Sequence, residues 1–264
     1  MVPNIFKYLI INGNQRPTTD KSPLINFDYF SILQRKVLTK MTSSKSLTNS
    51  PPLSLTAKNY LTSLLNKDRQ HAEEIITKAI EDGVSIKDVY LKIFQPAQWE
   101  IGRLWQTNKI TVAMEHYCTA ATQFIMSRLY DHIFATEKNG KSMVATSISG
   151  ELHELGIRMV SDFFEMEGWN TFYLGANTPG KSIVDMIKEV DADILAISAT
   201  IYFNIPQVAD LISYIKSETE TDKLKILVGG KAFNSYHDLW QQVNADGYAS
   251  DAEGAVTEAY RLIN

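Results

Sequence analysis

"KSMVATSISGELHELGIRMVSDFFEMEG", Lys141 to Gly168, opens as a short apolar run, turns around Gly150, and closes with apolar residues at three- and four-residue spacing. That is a strand, a tight loop and an amphipathic helix, the first half of a βαβ unit. The alternation continues to Asn264. "NTFYLGA", "ADILAISAT", "KLKILVGG" and "ADGYAS" read as further strands. The segments "GKSIVDMIKEV", "NIPQVADLISYIKSE", "SYHDLWQQV" and finally "AEGAVTEAYRLI" read as helices. The middle strands are apolar throughout, as strands covered on both faces are. Five βα units predict a doubly wound α/β domain with a parallel sheet over residues 141–264. Ligands of such sheets bind beyond the carboxyl ends of the strands. The informative loops are therefore Gly150–Gly156, Leu174–Pro179, Ser198–Phe203 and Gly229–Phe233.

Upstream, the period is that of helices alone. "LTAKNYLTSLLNKD", "RQHAEEIITKAIEDG", "SIKDVYLKIFQPAQWEIGRLWQTN" and "TVAMEHYCTAATQFIMSRLYDHIF" predict four helices over residues 55–137. Gly83 is the expected stop of the second, Ser85 and Thr111 the N-caps of the third and fourth, and Pro96 the expected bend in the third. Short connections between them imply a four-helix bundle. Residues 1–54 are rich in Ser, Thr, Asn and Lys, with five prolines, and net basic. They read as a partly disordered extension in which "NFDYFSILQRKVLTKM" forms one short amphipathic helix before the linker "TSSKSLTNSPP".

The whole chain of 264 residues has a formal net charge of −4. This leaves no general attraction for nucleic acid or an anionic membrane, and direct nucleic-acid binding is not expected. A single cysteine, Cys118, excludes an intramolecular disulfide framework and fits a reducing, cytoplasmic setting. No apolar run reaches the ~18 residues of a membrane span, and the start lacks the basic and small-residue flanks of a signal peptide. The expectation is a soluble cytoplasmic protein, with homo-oligomerisation left open.

The loop after the first strand reads Gly150-Glu151-Leu152-His153-Glu154-Leu155-Gly156. It contains neither G-x-G-x-x-G nor a Walker A sequence, which disfavours a dinucleotide pyrophosphate or nucleotide triphosphate site. A histidine at a strand's carboxyl end, two residues from a carboxylate, suits metal ligation. The carboxylate takes one ring N–H and leaves the other nitrogen to donate to a metal. Gly156 lets the backbone approach a ligand closely. The alternative is an ordinary polar residue at a helix start.

The pattern D/E-x-H-x-x-G after the first strand of a flavodoxin-like, Rossmann-type domain, preceded by a four-helix bundle, resembles the cobalamin-binding modules of methionine synthase and corrinoid proteins. The resemblance covers residues ~55–264. It implies a cobalamin (B12) cofactor bound base-off/His-on, with His153 as the lower cobalt ligand. It also implies Glu151, Leu152 and Gly156 around that ligand, and Ser198, Thr200, Gly229 and Gly230 along the channel for the buried nucleotide tail. The helical zone, "WEIGRLWQTNKITVAMEHYCT", is similar to the bundle of the B12-dependent photoreceptors, the CarH/LitR regulators and AerR-type antirepressors. Val112, Glu115, His116 and Thr119 fall on one helix face. The resemblance implies that Trp105, Val112, Glu115 and His116 cover the upper face of adenosylcobalamin, and Glu151 in place of Asp fits the same subgroup.

The expectation from this resemblance is a non-enzymatic, light-sensing regulatory protein. Light would release the adenosyl group and shift bundle against sheet domain, with a protein partner such as a transcription regulator as output. A bilin beside the cobalamin is a variant of it. The alternative is a corrinoid carrier subunit of a methyltransferase system. Two features depart from the photoreceptors. Residues 1–54 do not resemble their MerR-like helix-turn-helix domain, and Gln106 stands where they have a histidine after the capping tryptophan. Asn177 and Thr178 are either local contacts or turn and cap residues. Cys118 is expected to be a buried structural thiol, and His71, His132 and His237 surface residues.

Overall fold

Four short polar side chains set the starts of the helices. Ser54, Asp68, Ser85 and Thr111 accept hydrogen bonds from the backbone N–H groups of Ala57, His71, Asp88 and Met114. Each thereby satisfies a donor that the first helical turn leaves unpaired. The computed structural model describes residues 54–264 except 135, 220–222 and 237. The basic extension with its short helix and linker, and His237, lie outside the described residues. From these caps run α1 (Leu55–Leu65), α2 (Arg69–Glu81), α3 (Ile86–Val89), α4 (Gln95–Gln106), α5 (Val112–Arg128) and α6 (Tyr130–Ile133). Gly83, at a φ of 91°, ends α2 as expected.

The interruption of the third helical segment precedes Pro96. A wide turn spans Tyr90–Phe94, and the Gln95 N–H donates to the Tyr90 carbonyl. Proline has no N–H to offer the preceding turn, so the hydrogen-bond ladder loosens there and α4 restarts with Pro96 in its first turn. The packing surface survives this break. Tyr60, Leu64, Ile76, Tyr90, Phe94, Ile101, Ile125 and Met126 are all buried. The rings of Tyr60 and Phe94 meet at 5.4 Å. Cys118 is buried among them, and burial, followed by the Glu115 charge, pushes its thiol up to about 11.

The second half is the expected α/β domain. It comprises β1 (Ser142–Ser147), α7 (Leu155–Met166), β2 (Asn170–Gly175), α8 (Gly180–Glu189), β3 (Ile194–Ser198), α9 (Ile205–Glu218), β4 (Lys225–Gly229), α10 (Lys231–Asn234), α11 (Leu239–Gln242), β5 (Gly247–Ala249) and α12 (Ala252–Ile263). The strands are parallel in the order β2-β1-β3-β4-β5. Every residue of β3 is buried, as its unbroken apolar sequence requires, while β2 lies at an edge. The order reverses at β1, so a crevice opens between the loops that follow β1 and β3.

The helical layer rests on α7. The Tyr90 hydroxyl donates to Asp162 Oδ2 at 2.8 Å, and its ring meets that of Phe163 at 6.0 Å. Arg158 donates to Ser127 Oγ at 2.6 Å and the Tyr130 hydroxyl at 3.0 Å, and Lys87 pairs with Glu167. One apolar core runs without a break from Tyr60 and Phe94 through Phe163 and Trp169 to Ala259. Each such aromatic contributes roughly 1.5–3 kcal/mol by burial.

Asp162 is the costly member of this interface. Burial outweighs the Tyr90 hydrogen bond and the Arg158 charge and lifts its carboxyl from 3.8 to about 6. The folded state therefore holds a proton that the unfolded state releases between these values. That contribution is complete below pH 3.8 and is lost as the pH rises through about 6. Asp162→Asn keeps an acceptor for Tyr90 and removes the titration. The variant should gain stability relative to wild type between pH 4 and 7, by about 3 kcal/mol at most. Urea unfolding at a series of pH values measures this, and a constant difference across the window would contradict it.

Candidate functional site

Ser147, Ser198, Gly229 and Ala249 sit side by side in one register row at the carboxyl edge of the sheet. The loops leaving this row build the site. Gly150, at a φ of 85°, turns the chain after β1, and its N–H donates to Asn177 Oδ1 at 2.8 Å. Asn177 is thus a local contact that ties the loop after β2 to the loop after β1. Thr178 donates to the Leu174 carbonyl within its own turn.

Glu151 is the centre of the arrangement. Only 1% of it is exposed, and its carboxylate accepts from Thr200 N at 2.8 Å, Ile201 N at 2.8 Å and Asn204 Nδ2 at 2.9 Å. His153 Nδ1 lies 3.7 Å from its Oε2, within ion-pair range. Burial pushes the carboxyl up, but the His153 ring and the donors of Ile201, Asn204 and Thr200 together outweigh it and hold the group below its ordinary value. A carboxylate fixed in this way keeps its charge beside the imidazole and orients it. The His153 side chain is 46% exposed, so its ring stands at the surface of the crevice. Its backbone carbonyl accepts from Ser147 Oγ at 3.4 Å. Leu152 is exposed beside it, and the Cβ position of Gly156 meets no heavy atom within 4 Å.

The far side of the row is bare. A Cβ on Gly229 would fall 2.9 Å from the Ala249 carbonyl oxygen. One on Gly230 would fall 2.5 Å from the Ala199 oxygen and 2.9 Å from Ser198 Oγ, at a φ of +96°. Thr200 contributes its backbone N–H to Glu151, and Ser198 is buried at the strand end.

The expected upper-face residues lie on the helical layer. Glu115 pairs with His116 Nδ1 at 2.5 Å and accepts from Thr119 Oγ1 at 3.0 Å. Gln98 contacts Thr119 and donates to Thr122, which shares a 2.8 Å hydrogen bond with Tyr60. This chain of bonds roots the Glu115 carboxylate in the bundle core. Trp105 in the last turn of α4 is 38% exposed, and Val112 is 50% exposed. Gln123 lies one turn beyond Thr119 on the same face and donates to Glu154 Oε1 at 3.5 Å. The face carrying Val112, Glu115, His116 and Thr119 therefore runs on to the loop that holds His153.

Several residues went unread in the sequence. Asn204 is the side-chain donor to Glu151, but its reach depends on a single turn over Tyr202–Asn204 that has no sequence signature. Glu154 accepts from Ala176 N at 3.2 Å as well as from Gln123. A cleft of about 410 Å³ lies between Leu91, Gln95 and Trp99 and the residues Asn234, Ser250, Asp251 and Glu253 beyond β4 and β5. The four-residue spacing of Leu91, Gln95 and Trp99 was the available signal for it.

Among the described residues, no three His, Cys, Asp or Glu side chains gather to hold a bare metal ion. One exposed imidazole with a fixed carboxylate partner instead suits a metal that already sits in a macrocycle. The cradle that a Cβ would fill at Gly229 and Gly230 suits a close-lying appendage of such a group. Helical layer, switch-point crevice and this donor set fit a corrinoid-binding module.

Two B12 binding domain models match the chain, over residues 56–130 and 141–258. It is 31% identical over 122 residues to dimethylamine corrinoid protein 3 of Methanosarcina mazei, covering 46% of this chain and 71% of that one. It is 23% identical over 206 residues to a corrinoid protein of Desulfitobacterium hafniense, covering 76% of this chain and 94% of the relative. The fold matches the structure of the Methanosarcina barkeri monomethylamine corrinoid protein with a TM-score of 0.68 at 19% identity, over 77% of this chain and 96% of that one. The chain belongs to the corrinoid protein family, and its cofactor is a cobalamin.

These relatives correct the functional expectation. The light-sensing reading, with a transcription regulator as partner, rested on the resemblance of "WEIGRLWQTNKITVAMEHYCT" to photoreceptor bundles. The relatives are named as corrinoid proteins instead, which is the alternative reading. A helix face spaced to cover a corrin would not encode what the corrin is used for. The expectation that the chain is not itself an enzyme agrees with these names. No helix among the described residues is long and apolar enough to cross a membrane.

Glu151→Gln would turn an NH2 group toward backbone N–H donors that have no other partner in the crevice. The expected loss of stability at pH 7 is about 2–4 kcal/mol. Because the folded-state value lies below 4.5, the wild-type advantage is complete above that pH and shrinks as the pH falls below it through the folded-state value. Urea unfolding of both proteins at pH 7 and pH 3.5 measures the difference.

Proposed function

We propose that this chain is a corrinoid carrier subunit of a methyltransferase system, holding cobalamin base-off with His153 as the axial ligand. Kinship with the dimethylamine corrinoid protein of Methanosarcina mazei carries this reading. The Glu151–His153 pair at the switch point is the local feature that supports the ligand assignment.

When bound, cobalamin supplies a cobalt centre able to accept and release a methyl group. The protein's part is to hold and orient. His153 Nε2 is the donor nitrogen, since Nδ1 faces Glu151. Glu151 stays ionised through its three N–H donors, holds the tautomer and raises the basicity of the ring. Leu152 and Gly156 flank the lower side, the first as exposed apolar surface and the second as open backbone. Ser198, Thr200, Gly229 and Gly230 are assigned to the nucleotide tail. Trp105, Val112, Glu115 and His116 are assigned to the opposite side, where they would cover the bound cofactor. The adenosyl form and the bilin belonged to the light-sensing reading and form no part of this one.

The partner proposed is a methyltransferase, and methylated amines are the first donors to test, because the Methanosarcina mazei relative is named for dimethylamine. The axial ligand is tested by paramagnetic resonance of the loaded protein in its Co(II) state. Protein labelled with 15N-histidine should change the axial-nitrogen splitting from a triplet to a doublet, and His153→Ala should abolish the histidine signal with at least a tenfold loss of affinity. A splitting insensitive to the label would remove His153 from the cobalt. The carrier role is tested by supplying dimethylamine and a dimethylamine-cleaving methyltransferase to the reduced, loaded protein. Methylation of about one site per chain is expected, and no methylation would rule out that donor system.

A further inference from the structure

Strand β2 ends the sheet, and among the described residues only β1 pairs with it. The Asn170 N–H donates to the Lys141 carbonyl at 2.8 Å, so Asn170 turns its peptide groups toward β1. In a parallel ladder that direction alternates along the strand. Thr171 and Tyr173 therefore point their N–H and C=O groups away from the sheet. The register shifts only between Ala145 and Thr146, opposite the far end of β2, and leaves this stretch regular.

Such edges are normally guarded by a charge, a proline or a covering segment. The strand "NTFYLG", Asn170 to Gly175, carries neither charge nor proline. Aromatic surface borders it instead, with Tyr173 36% and Phe134 55% exposed. The Phe134 ring lies beside Lys138, whose ammonium pairs with Glu165, and Glu165 accepts from Thr171 Oγ1 at 2.6 Å. The edge also has a polarity. Lys141 and Lys138 stand at its amino end, where Lys138 donates to the Trp169 carbonyl. Glu154 stands at its carboxyl end, with Oε2 3.2 Å from the Cβ position of Gly175.

We propose that β2 is the pairing edge of a two-fold dimer, in which β2 of a second copy continues the sheet antiparallel to it. The axis passes through Phe172. Thr171 of each copy faces Tyr173 of the other, and each such pair exchanges both of its N–H···O bonds. Phe172 meets its own counterpart at a position without such bonds, on the opposite face of the sheet from Thr171. No charge is buried on the axis, and the lysines at one copy's amino end meet Glu154 at the other's carboxyl end. That self-complementarity is what a closed two-fold contact requires, and it selects a second copy as the occupant. Because the strands run oppositely, the His153 loops lie at opposite ends and neither copy covers the other's site. Dimerisation through this edge does not depend on the carrier role.

A strand pair with bordering rings is a small interface, and a dissociation constant on the order of 10 µM is expected. Sedimentation velocity of the full chain should then show mainly monomer at about 1 µM and mainly dimer at about 100 µM. Thr171→Pro removes an N–H that points outward, a change that edge strands tolerate. This variant should be monomeric at both concentrations, with circular dichroism and thermal melting showing that it folds. Phe172→Cys tests the register independently. Its thiols fall on the axis with Cα atoms about 4.5 Å apart, within disulfide reach, so mild oxidation should link two copies. A wild type that stays monomeric at the higher concentration overturns the proposal, whatever else covers the edge. So does a folded Thr171→Pro protein that still dimerises, or a Phe172→Cys protein that does not cross-link.

Discussion

A buried carboxylate bonded to three N–H groups joins the two loops on either side of the sheet's switch point, and the geometry of the site hangs on that joint. Glu151 belongs to the loop after β1, and its donors Thr200, Ile201 and Asn204 belong to the loop after β3. Removing a carboxylate from water costs several kcal/mol unless charge-assisted hydrogen bonds replace its hydration. Here they do, and they hold the proton off the group. The same anchor sets the position of His153 on one side and of Tyr202 on the other. An apolar side chain at 151 would leave the N–H groups of Thr200, Ile201 and Asn204 facing the loop after β1 with no acceptor.

Helix α7 transmits this local order to the rest of the chain. It starts at Leu155, immediately after the His153 loop, and along its length Arg158, Asp162 and Glu167 receive the helical layer. The layer is consequently held against the flank of the α/β domain by buried aromatic contacts and polar bonds. At the site end, Gln123 and Glu154 form the bond that crosses from α5 to the loop. The position of the Glu115–His116 face follows from where α7 seats α5. Glu115 is fixed in turn by Thr119, Gln98, Thr122 and Tyr60. A polar chain through the bundle core specifies one orientation of that face, which apolar packing alone would leave adjustable.

The architecture was legible because it is periodic. Unbroken apolar strands such as "ILAIS" and helices with three- and four-residue spacing report burial directly, and Ser85 and Thr111 announced the helix starts that they cap. The break at Tyr90–Phe94 was misplaced by a turn, since proline disrupts the ladder on its N-terminal side. In the site, Glu151 and His153 could be read from their spacing after a strand. Asn204 and the residues of the cleft could not. Their partners come from loops brought together only by the sheet order, and no local pattern encodes which side chain of a single turn faces a carboxylate some fifty residues upstream.

The functional misreading has a related physical origin. Val112, Glu115 and His116 are spaced to present one face of α5, with Trp105 at the end of α4 before it, and a corrin could use such a face whether it carries a methyl group or responds to light. Spacing constrains the surface that touches the cofactor, whereas the use made of the cofactor depends on what reaches its upper side. Trp105 and Val112 are partly exposed at the ends of α4 and α5, joined by the short turn through Asn108. A carrier must shield its cobalt from water and still expose it to a second protein. A cap made of side chains at two helix ends meets both needs, because those positions can yield to a partner without disturbing the buried core around Tyr60 and Phe94 that holds the helices together. On the carrier reading proposed above, the discriminating information lies outside the Gly150–Gly156 loop, in the surface around Trp105.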